Sequence, residues 1–352
     1  MNKKNTKVIL NSRPDGEATS ECFSVIEEDL VDLSPGEVRI ANESLSVDAA
    51  IRTMLRGEGF HMQMDIGDTV FAGGVGRIVE STVEGWDVGR AVRGPLGAQS
   101  FSKLSIDHLE LLEESNLPLS VNLGILGGST GVTAWIGIKK VARPKPGDLF
   151  VVSAAAGAVG SIAGQIAQKE GAKVIGIAGG ARKINHLLND LNFEAAIDYK
   201  SEDVRARLAE LAPNGVNGFF DNVGGDILDA VLENLALRSK VTICGAVSQY
   251  NDMDNIHGPS AYLKLAERQS AMEGFAYFHY PELIGPAEEE LRQWLHEGSI
   301  QLAEEVIDGI EKFPEALGFM FSGGNLGKLL VTPSDKFKEN NKYRIYNSNI
   351  KI

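Results

Sequence analysis

The hydrophobic pattern changes character twice along the chain. In the first third of the chain the apolar positions come in short alternating runs broken by turns, such as Glu37-Val38-Arg39-Ile40-Ala41 after Pro35-Gly36, and Gly74-Val75-Gly76-Arg77-Ile78-Val79-Glu80. Period-two alternation between turn residues predicts β-strands. After Pro146 strand-like runs centred near Phe150, Val174, Ala196, Phe219, Val241 and Phe275 alternate with helical stretches such as Val204 to Leu211 and Ile227 to Leu235. Strands and helices alternating at this spacing predict an α/β fold with a doubly wound parallel sheet and right-handed crossovers. From Gln301 the pattern returns to short segments, closing with Gly327-Lys328-Leu329-Leu330-Val331, and the polar tail Ser334 to Ile352 shows no period.

The segment that most narrows the chemistry is Val151-Val152-Ser153-Ala154-Ala155-Ala156-Gly157-Ala158-Val159-Gly160, an apolar strand that breaks into a small-residue loop and opens a helix, Ala158 to Lys169. A βα turn of this kind presents backbone N–H groups and the positive end of a helix to a pyrophosphate. Gly157 lets the backbone approach phosphate oxygens, while Gly160 and Gly164 let the helix lie close to the strand. Alanine at 155 replaces the first glycine of the usual fingerprint, so the match alone is weak. Two other readings exist. Leu149 to Ala167 carries no charge and has the length of a membrane span. Against that stand its three glycines, Ser153, Ser161, Gln165 and the preceding turn Pro144-Lys145-Pro146-Gly147-Asp148. The segment can also be plain core with no ligand.

The following residues favour a dinucleotide. Lys173 to Gly180 reads as a second parallel strand ending about 20 residues past the loop, where an NAD site places a carboxylate on the ribose. No acid stands there; Ala181-Arg182-Lys183 follows, and its positive charges suit a 2′-phosphate. NADPH is therefore expected over NADH. The alternative is that Arg182 and Lys183 decorate a helix whose buried stripe is Ile184, Leu187, Leu188 and Leu191.

Composition removes other classes. The 352 residues suffice for two domains, and 34 Lys plus Arg against 48 Asp plus Glu give a net charge of −14. So acidic a chain is not expected to bind nucleic acid or an anionic membrane surface. Cys22 and Cys244 form no pattern and read as free thiols in a reducing compartment. Met1 to Lys7 is basic, but Val8-Ile9-Leu10 is too short a core for a signal peptide, so a cytoplasmic protein is expected. His61, His108, His186, His257, His279 and His296 are scattered, and no zinc ligand set is visible.

Several stretches, taken together, resemble the zinc-independent medium-chain dehydrogenases/reductases, in the branch of leukotriene hydroxydehydrogenase, prostaglandin reductase, plant double-bond reductase and curcumin reductase. They are Asn11 to Gly16, Leu45 to Arg52, Thr133-Ala134-Trp135, Ala154 to Gly160, Asp198-Tyr199-Lys200, Phe220 to Gly225, Cys244 to Tyr250 and Gly323 to Lys328. The resemblance implies a Rossmann domain, 128–298, inserted in a GroES-like β-rich catalytic domain formed by 1–127 and a return segment, 299–333. The tail 334–352 lies outside it.

The same resemblance implies that Gly157, Ala158, Val159 and Gly160 cradle the pyrophosphate of NADP(H), and that Lys183 and Tyr199 hold its adenosine 2′-phosphate. Asn222 is expected at the adenine side. Cys244, Gly245, Ala246, Ser248 and Tyr250 would pass beside the nicotinamide, with Phe275, Ala276, Tyr277 and Asn325 completing that end. Turn chemistry remains open for Asn222 and Asn325, a half-buried strand role for Tyr199, and a small buried hydrophobe for Cys244.

Without a metal, the chemistry that fits is hydride addition to the β-carbon of an α,β-unsaturated aldehyde or ketone, with the enolate oxygen stabilised by a hydrogen bond. Tyr262 and Tyr250 are the candidate phenols; Glu267 stands nearer the position where relatives carry a tyrosine, and Tyr262 can equally be helix packing. A quinone reductase and a non-catalytic NADPH-binding protein are the alternatives. Relatives suggest a homodimer pairing the Rossmann edge.

Overall fold

The computed structural model describes residues 4–56, 62–333 and 343–346. They divide into two units. One holds the chain up to Leu123 and the segment beginning at Glu304; the other holds Gly124–Ala303.

In the first unit β1 (Lys4–Leu10) and β2 (Phe23–Asp29) form a two-stranded sheet that shares its core with a larger, mainly antiparallel sheet. That sheet contains β3 (Glu37–Ser46), β4 (Gly74–Ser81), β5 (Ala91–Gly94), β6 (Phe101–Ser105), β7 (Glu110–Leu111), β14 (Leu302–Asp308), β15 (Lys328–Thr332) and the short β16 (Tyr343–Tyr346). The path runs β16-β14-β15-β3-β4-β5-β7, with β6 also on β3, so both chain ends contribute to one sheet. Val38, Ile40 and Leu45 of β3 are fully buried, as are Leu10 and Leu96. Lys328 is only 1 % exposed and its ammonium lies 2.6 Å from Asp48, tying the start of β15 to the residues after β3. β16 falls within the stretch that looked featureless, because four residues at a sheet edge are too few to show a period. The rest of that tail, 334–342 and 347–352, lies outside the described residues.

The second unit is built on a six-stranded parallel sheet of β8 (Leu149–Ser153), β9 (Lys173–Ala178), β10 (Ala195–Asp198), β11 (Val216–Asp221), β12 (Leu235–Ile243) and β13 (Ala271–Gly274). Its order is β10-β9-β8-β11-β12-β13, which is the 3-2-1-4-5-6 order of the Rossmann fold. All six anticipated strands are present. Successive residues of a strand face opposite sides, and both sides are apolar. Val151, Ile175, Phe219 and Val241 pack in one cluster with Leu208 of α5 (Val204–Leu211) and Leu228, Val231 and Leu232 of α6 (Gly225–Glu233). Phe220, turned the other way, meets Phe275 edge-on at 6.1 Å.

The run 149–167 is therefore a strand, a turn and the helix α3 (Ala158–Lys169); among the described residues no helix is long and apolar enough to cross a membrane. Two finer expectations are corrected. Gly164 does not relieve contact with the strand; a Cβ there would run into the ring of Phe193. The stripe after Lys183 is also displaced, because α4 (Ala181–Asn185) passes into a π-helical turn, His186–Asp190. The wider turn shifts the register. Leu187 and Leu191 remain buried, Leu188 is 38 % exposed, and His186 takes a buried place with Nδ1 2.7 Å from Asp190.

Candidate functional site

The glycine loop is shaped by positions that fit it unequally. Ala154 takes the left-handed conformation, φ 47°, while Ala155 is fully buried and donates its N–H to Ile177 O at 3.0 Å. The strained residue is thus 154, and alanine at 155 costs nothing in backbone conformation. Gly157 caps α3 with no side-chain acceptor, and the first ladder bond comes from Ser161 N to Gly157 O at 3.1 Å. The N–H groups of Ala158, Val159 and Gly160 precede that bond and point out of the helix end. A Cβ at Gly160 would strike the Ala154 carbonyl, whereas one at Gly157 would meet only Ala154 O, at 3.1 Å. Gly160 is required by packing; Gly157 leaves an open face over a positive helix end. These features fit a diphosphate.

At the ends of β9 and β10 the chain gathers Lys183, Tyr199 and Lys200. A Cβ at Gly179 would lie 2.8 Å from the Tyr199 ring and 2.9 Å from Lys200 Cε, so both side chains cross over this glycine. Lys183 is half-buried on α4, and Tyr199 is 44 % exposed. Sequence spacing found no acid here, yet the fold returns Asp198 to it: Oδ1 accepts from Gly180 N at 2.9 Å and from Lys200 N at 3.0 Å. Those backbone donors, Gly180 first, hold the Asp198 carboxyl below its ordinary range. Its Oδ1 is engaged by the turn. Asp198 and Lys200 flank Tyr199 in a stretch the resemblance marks, but sequence reasoning gives them no role there, because the turn after β10 lies beyond the local spacing rule.

The strands β8 and β11 are neighbours, and the chain order reverses between them. Asn222 donates Nδ2 to Ser153 O at 2.7 Å and its backbone N–H to Ser153 Oγ at 2.8 Å. The Cys244 to Tyr250 segment is laced onto the same turn, with Cys244 N and Val247 N donating to Asp221 O at 2.8 Å and Asn222 O at 3.1 Å. Gly245 N and Ser248 N bond to Asp221 O and Val223 O, while Ala246 N donates to the Tyr250 hydroxyl oxygen at 3.2 Å. Burial raises the Tyr250 phenol and pushes the Cys244 thiol up to about 12, which keeps both protonated at neutral pH.

Beyond β13, Phe275 packs on Phe220, Ala276 O accepts from His279 N, and the Tyr277 ring lies over Gly128, 2.7 Å from where a Cβ would stand. Residues 157–160, 183, 199, 222, 244–250 and 275–277 thus sit at the carboxyl ends of the six parallel strands, where α/β sheets bind ligands. Tyr262 does not. It precedes the five-residue α7 (Leu263–Glu267), 57 % exposed, on a segment fastened to Asp229 halfway along α6 by Ser260 and Ala261. Asn325 belongs to the other unit, 8 % exposed, with Nδ2 bonded to Gly327 O at 2.9 Å. Among the described residues no three His, Cys, Asp or Glu side chains are grouped to hold a metal; His61 lies outside them.

Comparison with known proteins agrees with this architecture. Residues 6–112 match a family model described as the N-terminal domain of oxidoreductase, and 158–288 one described as zinc-binding dehydrogenase. The NADPH-dependent curcumin reductase of Escherichia coli is 33 % identical over 94 % of this chain and 97 % of its own. The chain belongs to the medium-chain dehydrogenase/reductase family. Another member, the NADP(+)-dependent 2-alkenal reductase of Nicotiana tabacum, is 34 % identical over 94 % of this chain and 98 % of its own. Among solved members, CurA of Vibrio vulnificus in complex with NADPH superposes with a TM-score of 0.88 at 32 % identity, covering 94 % of this chain and 99 % of that one. As a medium-chain dehydrogenase/reductase, the chain pairs a Rossmann unit with a GroES-like β-rich one.

Proposed function

We propose that this chain reduces the carbon–carbon double bond of α,β-unsaturated aldehydes and ketones with NADPH and without a metal ion. It is an NADP-dependent oxidoreductase of the branch that holds the curcumin, alkenal and prostaglandin reductases. The observation that carries the reading is the strand-end edge of the parallel sheet, with an uncapped helix start behind Gly157 and Lys183 and Tyr199 at the next strand ends. The backbone of Gly157 to Gly160 would hold the pyrophosphate, and Lys183 with Tyr199 the 2′-phosphate. When bound, NADPH supplies the hydride for the β-carbon.

The enolate oxygen needs a hydrogen bond, from a nicotinamide ribose hydroxyl or a tyrosine, and the α-carbon a proton, from solvent or a nearby phenol. Of the two phenols, Tyr250 is the better placed. Its oxygen accepts the Ala246 N–H, which leaves its O–H as a donor, and burial keeps that proton in place. Tyr262 lies away from the strand ends and is 57 % exposed. Because the Cys244 thiol is held up to about 12, it stays uncharged and takes no nucleophilic part. A cytoplasmic location belongs to the same proposal, since Cys22 and Cys244 are free.

The test is NADPH consumption against 2-alkenals, arylidene ketones and quinones, with NADH alongside. Turnover of enals or enones with NADPH is expected. Turnover of quinones alone, or NADPH binding without turnover on any carbonyl, overturns the proposal.

A homodimer is part of this reading. β13 ends the parallel sheet, all four of its residues are exposed, and Met272 there and Leu237 on β12 are 39 % and 63 % exposed. An open strand edge pairs readily with a second copy, and a charge placed on it opposes pairing. Light scattering should give a dimer for the native chain and a monomer for Met272→Lys; a native monomer sinks the assignment.

A further inference from the structure

We infer that Asp221 and Ser153 act as a positioning pair that holds the two loops of the cofactor edge in register across the switch point, an inference that rests on the NADPH reading above. Both are fully buried, Ser153 at the end of β8 and Asp221 at the end of β11. The Ser153 hydroxyl donates to Asp221 Oδ1 at 2.8 Å and accepts from Asn222 N at 2.8 Å. A hydroxyl is the smallest group able to do both at once. The carboxylate further accepts Val223 N at 3.0 Å and Gly224 N at 3.0 Å, while the Asp221 carbonyl takes Cys244 N at 2.8 Å and Gly245 N at 3.1 Å.

One residue thereby fastens the glycine-loop strand, the Asn222 turn and the Cys244 to Tyr250 segment. Gly224 and Gly225 lie at φ 71° and 55°, so the turn needs such clamps to keep its shape. A carboxylate buried this completely is costly, and one whose lone pairs are spent on loop N–H groups contributes geometry rather than reactivity. Both side chains are fully buried, so the effect should appear in cofactor binding and not in the chemical step.

The experiment compares Ser153→Ala and Asp221→Asn with the native enzyme by NADPH fluorescence titration, thermal melting and steady-state kinetics. Ser153→Ala removes one donor and one acceptor. Its Kd and KM for NADPH should rise about tenfold, with kcat at saturating NADPH within about threefold of native. Asp221→Asn keeps Oδ1 for Ser153 and Val223 but sets an amide NH2 against the Gly224 N–H that Oδ2 accepts, so its effect should exceed that of Ser153→Ala. A melting temperature that falls while Kd and KM stay within twofold means a purely structural role and overturns the inference, as does a loss confined to kcat. If Asp221→Asn does not fold, Ser153→Ala decides alone. A native protein that fails to bind NADPH overturns the cofactor reading and this inference with it; native binding with unaltered variants overturns this inference only.

Discussion

Gly157→Ala is expected to weaken NADPH binding about a hundredfold, roughly 2.7 kcal/mol, while leaving the melting temperature within about two degrees of native. The backbone at 157 is at φ −87° and ψ −178°, which alanine adopts freely, and the new methyl would meet only Ala154 O at 3.1 Å. That contact is tight, and the Ala154 carbonyl must give by a few tenths of an ångström, so the loss of stability is expected to be small. The methyl stands on the face where a pyrophosphate must approach the helix N–H groups. Gly160→Ala serves as the contrast. Its methyl would run into the Ala154 carbonyl and lie 3.0 Å from Ala155 Cα, both backbone and unable to yield. It should lose stability, by about 1–3 kcal/mol on the scale of overpacked sites, together with binding. Isothermal titration beside calorimetry separates the two. Equal NADPH affinity in Gly157→Ala and the native protein removes the loop from the cofactor site.

Lys183→Ala should raise the NADPH Kd about thirtyfold, near the ~2 kcal/mol of a charge-assisted hydrogen bond, and leave NADH kinetics within twofold. The chain has a net charge of −14, so a dianionic 2′-phosphate is held by local cations and not by the overall field. Lys200, whose stem crosses Gly179 beside Tyr199, is left in place by this change and should retain part of the preference. Raising the salt concentration should narrow the NADPH advantage of the native enzyme further than that of the variant. Equal use of NADH and NADPH by the native enzyme, or an undiminished preference in Lys183→Ala, rejects the 2′-phosphate assignment.

Much of the Rossmann unit was readable because its signals are local. A strand buried on both faces must be a short apolar run, and α5 occupies the stretch Val204–Leu211 that its own periodicity marks. Helix α6 begins two residues earlier than its apolar pattern, at Gly225, because a left-handed glycine starts it and apolar periodicity does not register that. The π-helical turn at His186–Asp190 was hidden for a similar reason: one extra residue per turn is set by packing, and it put His186 inside and Leu188 outside. At the site, the glycine loop and Lys183 follow from spacing within one βα unit. Asp198 and Lys200 do not, since they arrive from the neighbouring strand.

Sheet type, the loop over the helix start and Lys183 beside the second strand end are legible in the residues alone, because each depends on positions within about 30 of one another. The tertiary structure decided what those groups face. Strand order alone brings Ser153 within 2.8 Å of Asp221 across 68 positions of sequence, laces Cys244 to Tyr250 onto the Asn222 turn, and sets Tyr262 on the flank of α6. Contacts between strands not adjacent in sequence are fixed by crossovers and packing, and no local pattern encodes them.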